Sequence, residues 1–276
     1  MRMLFSITLF NTLTIVCALM YIISASLVAI NISKGLSQNI QRQWVLLSAF
    51  AAIITHALLV SHSYNVNHII SNDFFSMLSL IFLVISLLFI LSAIKQPIET
   101  LAIIIFPFSA IAVFLNINNA APLTPSVNVN GHLQTHIILS ILSYSLLTVA
   151  AFQAIFLSFQ EKQLHDRHPS RLINCLPPMQ LMEALLFRVL FLGLLLLTFA
   201  LASGFIYLDD IFAQQLAHKT VLSILAWILF TTLLCGRYFL GWRGQKAVKW
   251  TYGGYFALML AYFGSKFVLQ LVLNQG

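Results

Sequence analysis

Residues 185–207 read LLFRVLFLGLLLLTFALASGFIY, and this run decides the fold class. It carries a single charge, Arg188, and as a helix it is long enough to cross a hydrocarbon core about 30 Å thick. Stretches of the same character lie at about 5–30, 44–62, 74–94, 98–115, 137–159, 220–240 and 252–273. Lipid offers the backbone no hydrogen-bond partners, so each stretch must satisfy its own polar groups as a helix. A membrane barrel would instead show alternating segments of about ten residues. Composition points the same way. The chain of 276 residues is 60% hydrophobic and 8% charged, with a mean hydropathy of +0.95. Soluble domains run nearer about 25% charged, and disordered chains are poor in apolar residues. The net charge of +7 comes from 14 basic residues scattered between the apolar blocks, so no nucleic-acid partner is expected. The expectation is an all-α, polytopic integral membrane bundle of about eight transmembrane helices, built as one membrane domain over residues 1–276.

The connecting loops predict an orientation. Lys34, Arg42, Lys95, Lys162, Arg167, Arg171, Arg237, Arg243, Lys246 and Lys249 cluster in alternate loops, while 63–73 and 116–135 hold no basic residue. Positive charge stays in the cytoplasm, which puts both termini on the outer side. The first block is longer than a signal-peptide core and lacks a small-residue cleavage site, so it reads as an uncleaved helix. The corresponding location is a bacterial inner membrane, multi-pass, with loops 2–3, 4–5 and 6–7 facing the periplasm. Pro107 falls inside the fourth block as a kink, and Pro177-Pro178 separates a charged loop from the lead-in MQLMEALLFR.

Under that orientation His56, His62, His68, His132, His136 and His218 lie toward the outer side, and His165 and His168 lie in the charged cytoplasmic loop. A polar group at membrane depth is costly and faces a cavity or a partner, which singles out His56. His136, Ser140, Ser143, Tyr144 and Thr148 share one face of the fifth helix. Small and hydroxyl residues on such a face also serve plain helix packing. His136 and His218 each read equally well as a ligand or as an interfacial hydrogen-bond donor. No HExxH or CxxC spacing is present, and Cys17, Cys175 and Cys235 are far apart, so neither a zinc motif nor a CxxCH haem attachment site exists. Imidazoles from separate helices beside an apolar wall suit non-covalent haem b, with His136 and His218 as candidate axial ligands to its iron. Asp209-Asp210 could orient an imidazole, and Lys266 could reach a propionate. Arg188 either pairs with Glu183 across one helix face or snorkels, and Glu99 sits at the cytoplasmic boundary.

Six segments carry a family resemblance: PIETLAIIIFPFSA at 97–110, HLQTHIILSILSYSLL at 132–147, LPPMQLMEALLFR at 176–188, DDIFAQQLAHKTVLSILAW at 209–227, GWRGQKAVKW at 241–250 and LAYFGSKFV at 260–268. Together they resemble the cytochrome c assembly protein family of haem-handling membrane proteins, the CcsA/CcmC-like proteins, in its YpjD/HemX-type branch. The resemblance implies that His136 stands where a haem-flanking histidine precedes an LSY helix, and that His56 occupies the place of a transmembrane haem-binding histidine. Where the family carries a tryptophan-rich platform, this chain reads FIYLDDIFAQQLAHKT at 205–220, without tryptophan. Haem ligase activity is therefore not expected.

Three functions remain open on these readings. One is a non-catalytic protein that binds or handles haem on the periplasmic side in cytochrome c maturation, with cofactor-binding residues His136, His218 and His56. Its partners are membrane lipid, haem and other membrane proteins of that process. A second is an accessory or regulatory membrane subunit, for example in haem-biosynthesis control, without stoichiometric haem. The third is support of divalent-cation efflux, against which stands the lack of a carboxylate deep in any span.

Overall fold

The structure is a computed structural model that describes residues 2–34, 38–67, 74–96, 98–117, 131–165, 176–207 and 217–264. The described residues form α1 (Arg2–Lys34), α2 (Gln38–Asn67), α3 (Phe74–Lys95), a 3-10 turn (Glu99–Leu101) leading into α4 (Ala102–Leu115), α5 (Gly131–His165), α6 (Met179–Tyr207), α7 (Ala217–Leu240), α8 (Gln245–Met259) and a π turn (Leu260–Gly264). The all-α membrane bundle is thus present, with helices at each apolar block.

Most helices outrun their apolar blocks. The 33 residues of α1 rise about 50 Å, well beyond a hydrocarbon core of about 30 Å. Hydropathy marks only the lipid-buried part, whereas a helix continues into the interface wherever its polar residues tolerate it. Among the described residues six helices are long and apolar enough to cross a membrane, and Glu99–Leu115 is a shorter apolar segment. The expected span at 252–273 lies partly in α8 and the π turn and partly outside the described residues.

The chain folds as two compact units, Met1–Val127 with Pro169–Pro177, and Asn128–His168 with Pro178–Gly276. In each unit the described helices form a closed ring of four. In the first, α1 packs on α2, α2 on α3, α3 on α4 and α4 back on α1; in the second, α5 to α8 repeat that order. Outside faces are apolar, as lipid requires: Leu19 is 55% exposed and Leu47 59%. Polar side chains are turned inward, among them Ser24, Ser86, Ser109, Gln153 and Thr251.

Charged side chains fasten the helix ends. In the first unit Arg42 Nε meets Glu99 Oε1 at 2.6 Å, and Arg42 Nη2 donates to the carbonyls of Ala93 (2.6 Å) and Ile94 (3.3 Å). The guanidinium thereby caps the open carbonyls that end α3. In the second unit the turn between α7 and α8 uses Gly241 and Gly244, both at positive φ. Gly244 N–H donates to Glu183 Oε1 at 2.6 Å. Glu183 therefore sits at the positive end of α8, and Arg188 is left exposed.

Candidate functional site

The second unit owes its histidine geometry to close helix approach. A Cβ placed on Gly193 of α6 would lie 2.8 Å from Leu147 Cδ2 of α5, and Ser143 donates to the Gly193 carbonyl at 3.0 Å. The absence of a side chain at 193 lets the two helices run antiparallel at short range. Followed toward the start of α5, that register brings His136 against Ala200 and Ser203. His136 Nδ1 lies 2.9 Å from the Ala200 carbonyl oxygen and 3.0 Å from Ser203 Oγ. The ring is half-buried, and among the described residues nothing meets Nε2.

The polar stripe below His136 divides between two jobs. Ser143 serves helix packing through Gly193, and Ser140 bonds back to the His136 carbonyl at 2.8 Å. Tyr144 and Thr148 face α8. Thr148 Oγ1 donates to Tyr255 Oη at 3.3 Å, and the Tyr144 ring stands 6.1 Å from those of both Tyr255 and Tyr262. Tyr262 belongs to the π turn, whose extra residue per turn redirects side chains after α8.

In the first unit His56 is fully buried. Its Nδ1 is hydrogen-bonded to Tyr21 Oη at 3.2 Å and its Nε2 to Ser79 Oγ at 2.9 Å. The Tyr21 ring meets the imidazole edge-on, with centroids 5.9 Å apart. One hydrogen-bonded chain thus joins α1, α2 and α3, and it uses both nitrogens of His56. Separately, Ser86 of α3 and Ser109 of α4 are hydrogen-bonded at 2.8 Å.

His218 is exposed on the first turn of α7, next to the half-buried Lys219. His62 is exposed with its ring 5.7 Å from that of Phe10, and His165 is exposed at the end of α5. His132 lies in the first turn of α5, and its side chain is not among those described. His68, His168, Asp209-Asp210, Cys175 and Lys266 lie outside the described residues. Among the described residues no group of three metal-binding side chains gathers. Sequence reasoning found His56 and His136 but missed Tyr21, Ser79, Ala200 and Ser203. The only signal for Ser203 was a serine on the helix antiparallel to α5, which carries no weight until the register is known.

Comparison with known proteins adds a family. The family model described as cytochrome C assembly protein matches residues 44–273. The inner membrane protein YpjD of Escherichia coli (strain K12) is 38% identical over 137 residues, 50% of this chain and 52% of that protein. An uncharacterized 28.8 kDa protein of Azospirillum brasilense is 32% identical over 141 residues, again 50% and 52%. The cytochrome c biogenesis protein CcsA of Prochlorococcus marinus (strain NATL1A) is 23% identical over 202 residues, 63% of each chain. The chain thus spans about half the length of the first two of these relatives. No solved structure matches it.

Proposed function

Because the chain belongs to the cytochrome c assembly protein family, we propose that it is a non-catalytic, multi-pass protein of a bacterial inner membrane that binds haem b non-covalently at His136 during cytochrome c maturation. The site faces the periplasm in this reading, because the basic loops lie at the opposite helix ends. One observation carries the proposal: among the described residues His136 is hydrogen-bonded through Nδ1 and not through Nε2. Metal-ligating histidines are held in this way, the second ring nitrogen bonded to a carbonyl or another acceptor.

The donor set fits a haem better than a bare ion. A bare divalent ion needs three or four protein ligands, whereas a haem already supplies four and takes one or two imidazoles. His136 Nε2 is the first. His218, exposed on the first turn of α7, is the candidate for the second. Lys219 is half-buried beside it without an acidic partner among the described residues, and it is the cation available to a propionate. Bound there, a haem brings iron that accepts axial ligands and changes valence; the protein supplies binding and orientation. The saturated hydrogen bonds of His56 leave it the part of a core residue in this proposal.

The test is a pyridine haemochrome assay on detergent-purified protein, with titration of added hemin and visible spectra before and after dithionite. About one haem per chain, lost in His136→Ala, is the expected result. Protein that carries no haem and takes up none would remove the proposal, leaving an accessory or regulatory subunit as the better reading.

A further inference from the structure

Ser203 is 8% exposed, one turn along α6 from Ala200. Its hydroxyl donates to the Ala200 carbonyl oxygen at 2.8 Å. Helix serines commonly bond back to the preceding turn, so that contact alone has a purely structural explanation. The third atom changes the reading. His136 Nδ1 lies 2.9 Å from the same carbonyl oxygen and 3.0 Å from Ser203 Oγ, closing a triangle of three polar atoms between two helices.

Proton bookkeeping leaves one arrangement. A carbonyl oxygen only accepts. Were Nδ1 unprotonated, its lone pair would face that of Ala200 at hydrogen-bond distance, so Nδ1 carries the proton. The single proton of Ser203 is committed to Ala200, so its oxygen turns a lone pair to His136. Two acceptors converge on one N–H. A neutral imidazole has only one N–H, and Nε2 is therefore a bare donor atom.

We infer that Ser203 is a positioning residue: with the Ala200 carbonyl it holds His136 in the Nδ1–H tautomer and aims Nε2 at the ligand. The ligand's identity rests on the haem reading above; the tautomer does not. Both acceptors are uncharged, so they leave the ring a neutral imidazole where a carboxylate would draw it toward imidazolate.

The test uses the full chain in detergent, without haem, carrying 15N-labelled histidine. Long-range proton–nitrogen spectra read the tautomer, with His136 assigned by its loss in His136→Ala. In the unaltered chain Nδ1 is expected as the protonated nitrogen and Nε2 as the bare one. In Ser203→Ala one of the two acceptors is gone while the Ala200 carbonyl remains, so the share of the Nε2–H form should rise above its value in the unaltered chain, and hemin affinity should fall about tenfold or more. Ser203→Thr keeps the hydroxyl and should restore both, and it carries the test if the alanine variant fails to fold. A protonated Nε2 in the unaltered chain overturns the inference. So does a Ser203→Ala protein that keeps both tautomer and affinity. If the tautomer responds to Ser203 while no variant takes up hemin, the inference stands and the haem reading falls.

Discussion

The two four-helix units solve one problem in opposite ways. Each places a histidine on a helix flanked by lipid, where an unpaired polar group is expensive. The first unit closes the matter: His56 is 0% exposed, and both of its nitrogens are bonded within a chain of tyrosine and serine hydroxyls. The second unit stops halfway among the described residues, bonding Nδ1 of His136 and not Nε2. Depth in the membrane and an available ring nitrogen are thus separate properties: a nitrogen already bonded to a hydroxyl must break that bond before it can meet a metal.

Exchanging the histidines gives the sharpest contrast. His136→Ala should abolish hemin uptake and leave the thermal stability of the chain nearly unchanged, since one partly exposed hydrogen-bonded ring is removed. His56→Ala should do the reverse. It opens a cavity in the first unit and orphans the Tyr21 and Ser79 hydroxyls, for a loss of about 2–4 kcal/mol, with hemin stoichiometry retained. Spectral titration and unfolding in mixed detergent micelles read the two quantities separately. Hemin uptake lost in His56→Ala at unchanged stability would break the comparison.

Arg42 is the first unit's other fixed point, and its loss should rank next. Arg42→Ala leaves Glu99 without its cation and uncaps the carbonyls of Ala93 and Ile94, for about 2 kcal/mol. Arg42→Lys should recover less than half of this, because an ammonium cannot reach the carboxylate and both carbonyls with one planar fork. Full recovery in the same micelle unfolding measurement would mean that charge alone matters there.

These partners explain what the sequence could and could not say. The positions of the helices were legible because about 20 apolar residues in a row have one physical solution in lipid. Their ends were not, since Gln38 or Gly131 can be helical without being apolar. His136 was visible as the head of a polar stripe. Ser203 was not, because its partner lies 67 residues away and the register between α5 and α6 depends on Gly193 and Ser143 meeting. Arg42 and Glu99 were read singly, as a topology signal and a boundary acid, with nothing local to join them. For Glu183 the sequence offered Arg188 on its own helix, either as a partner or as a residue that snorkels. The positive φ of Gly244 turns a backbone N–H toward it instead, and a chain reversal of that kind is not encoded at position 183.

Gly244 tests that last point at a smaller scale. Its φ of 58° suits glycine, and a Cβ there would lie 2.8 Å from Glu161 Oε1. Gly244→Ala should lose about 2 kcal/mol and weaken the hold of Glu183 on the start of α8. If the node serves only to cap α8, hemin uptake should stay at its original stoichiometry, which separates this end of the second unit from the end bearing His136.

The smallest effect is expected from two adjacent glycines of α8. A Cβ on Gly254 would come within 2.8 Å of the Phe230 ring of α7, while one on Gly253 would meet nothing within 4 Å. Gly254→Ala must push a fully buried aromatic ring aside, at about 1–2 kcal/mol. Gly253→Ala adds a methyl group in open space and a better helix former, so its effect should lie between zero and a gain of about 0.5 kcal/mol. The two substitutions share composition, helix and depth, so only the contact with Phe230 separates them. No loss at either position in micelle unfolding would place α7 and α8 farther apart than they stand here, and a loss at 253 alone would turn α8 about its axis. A loss at 254 alone confirms the face that α8 presents to α7, and with it the closure of the ring around the unit that carries His136.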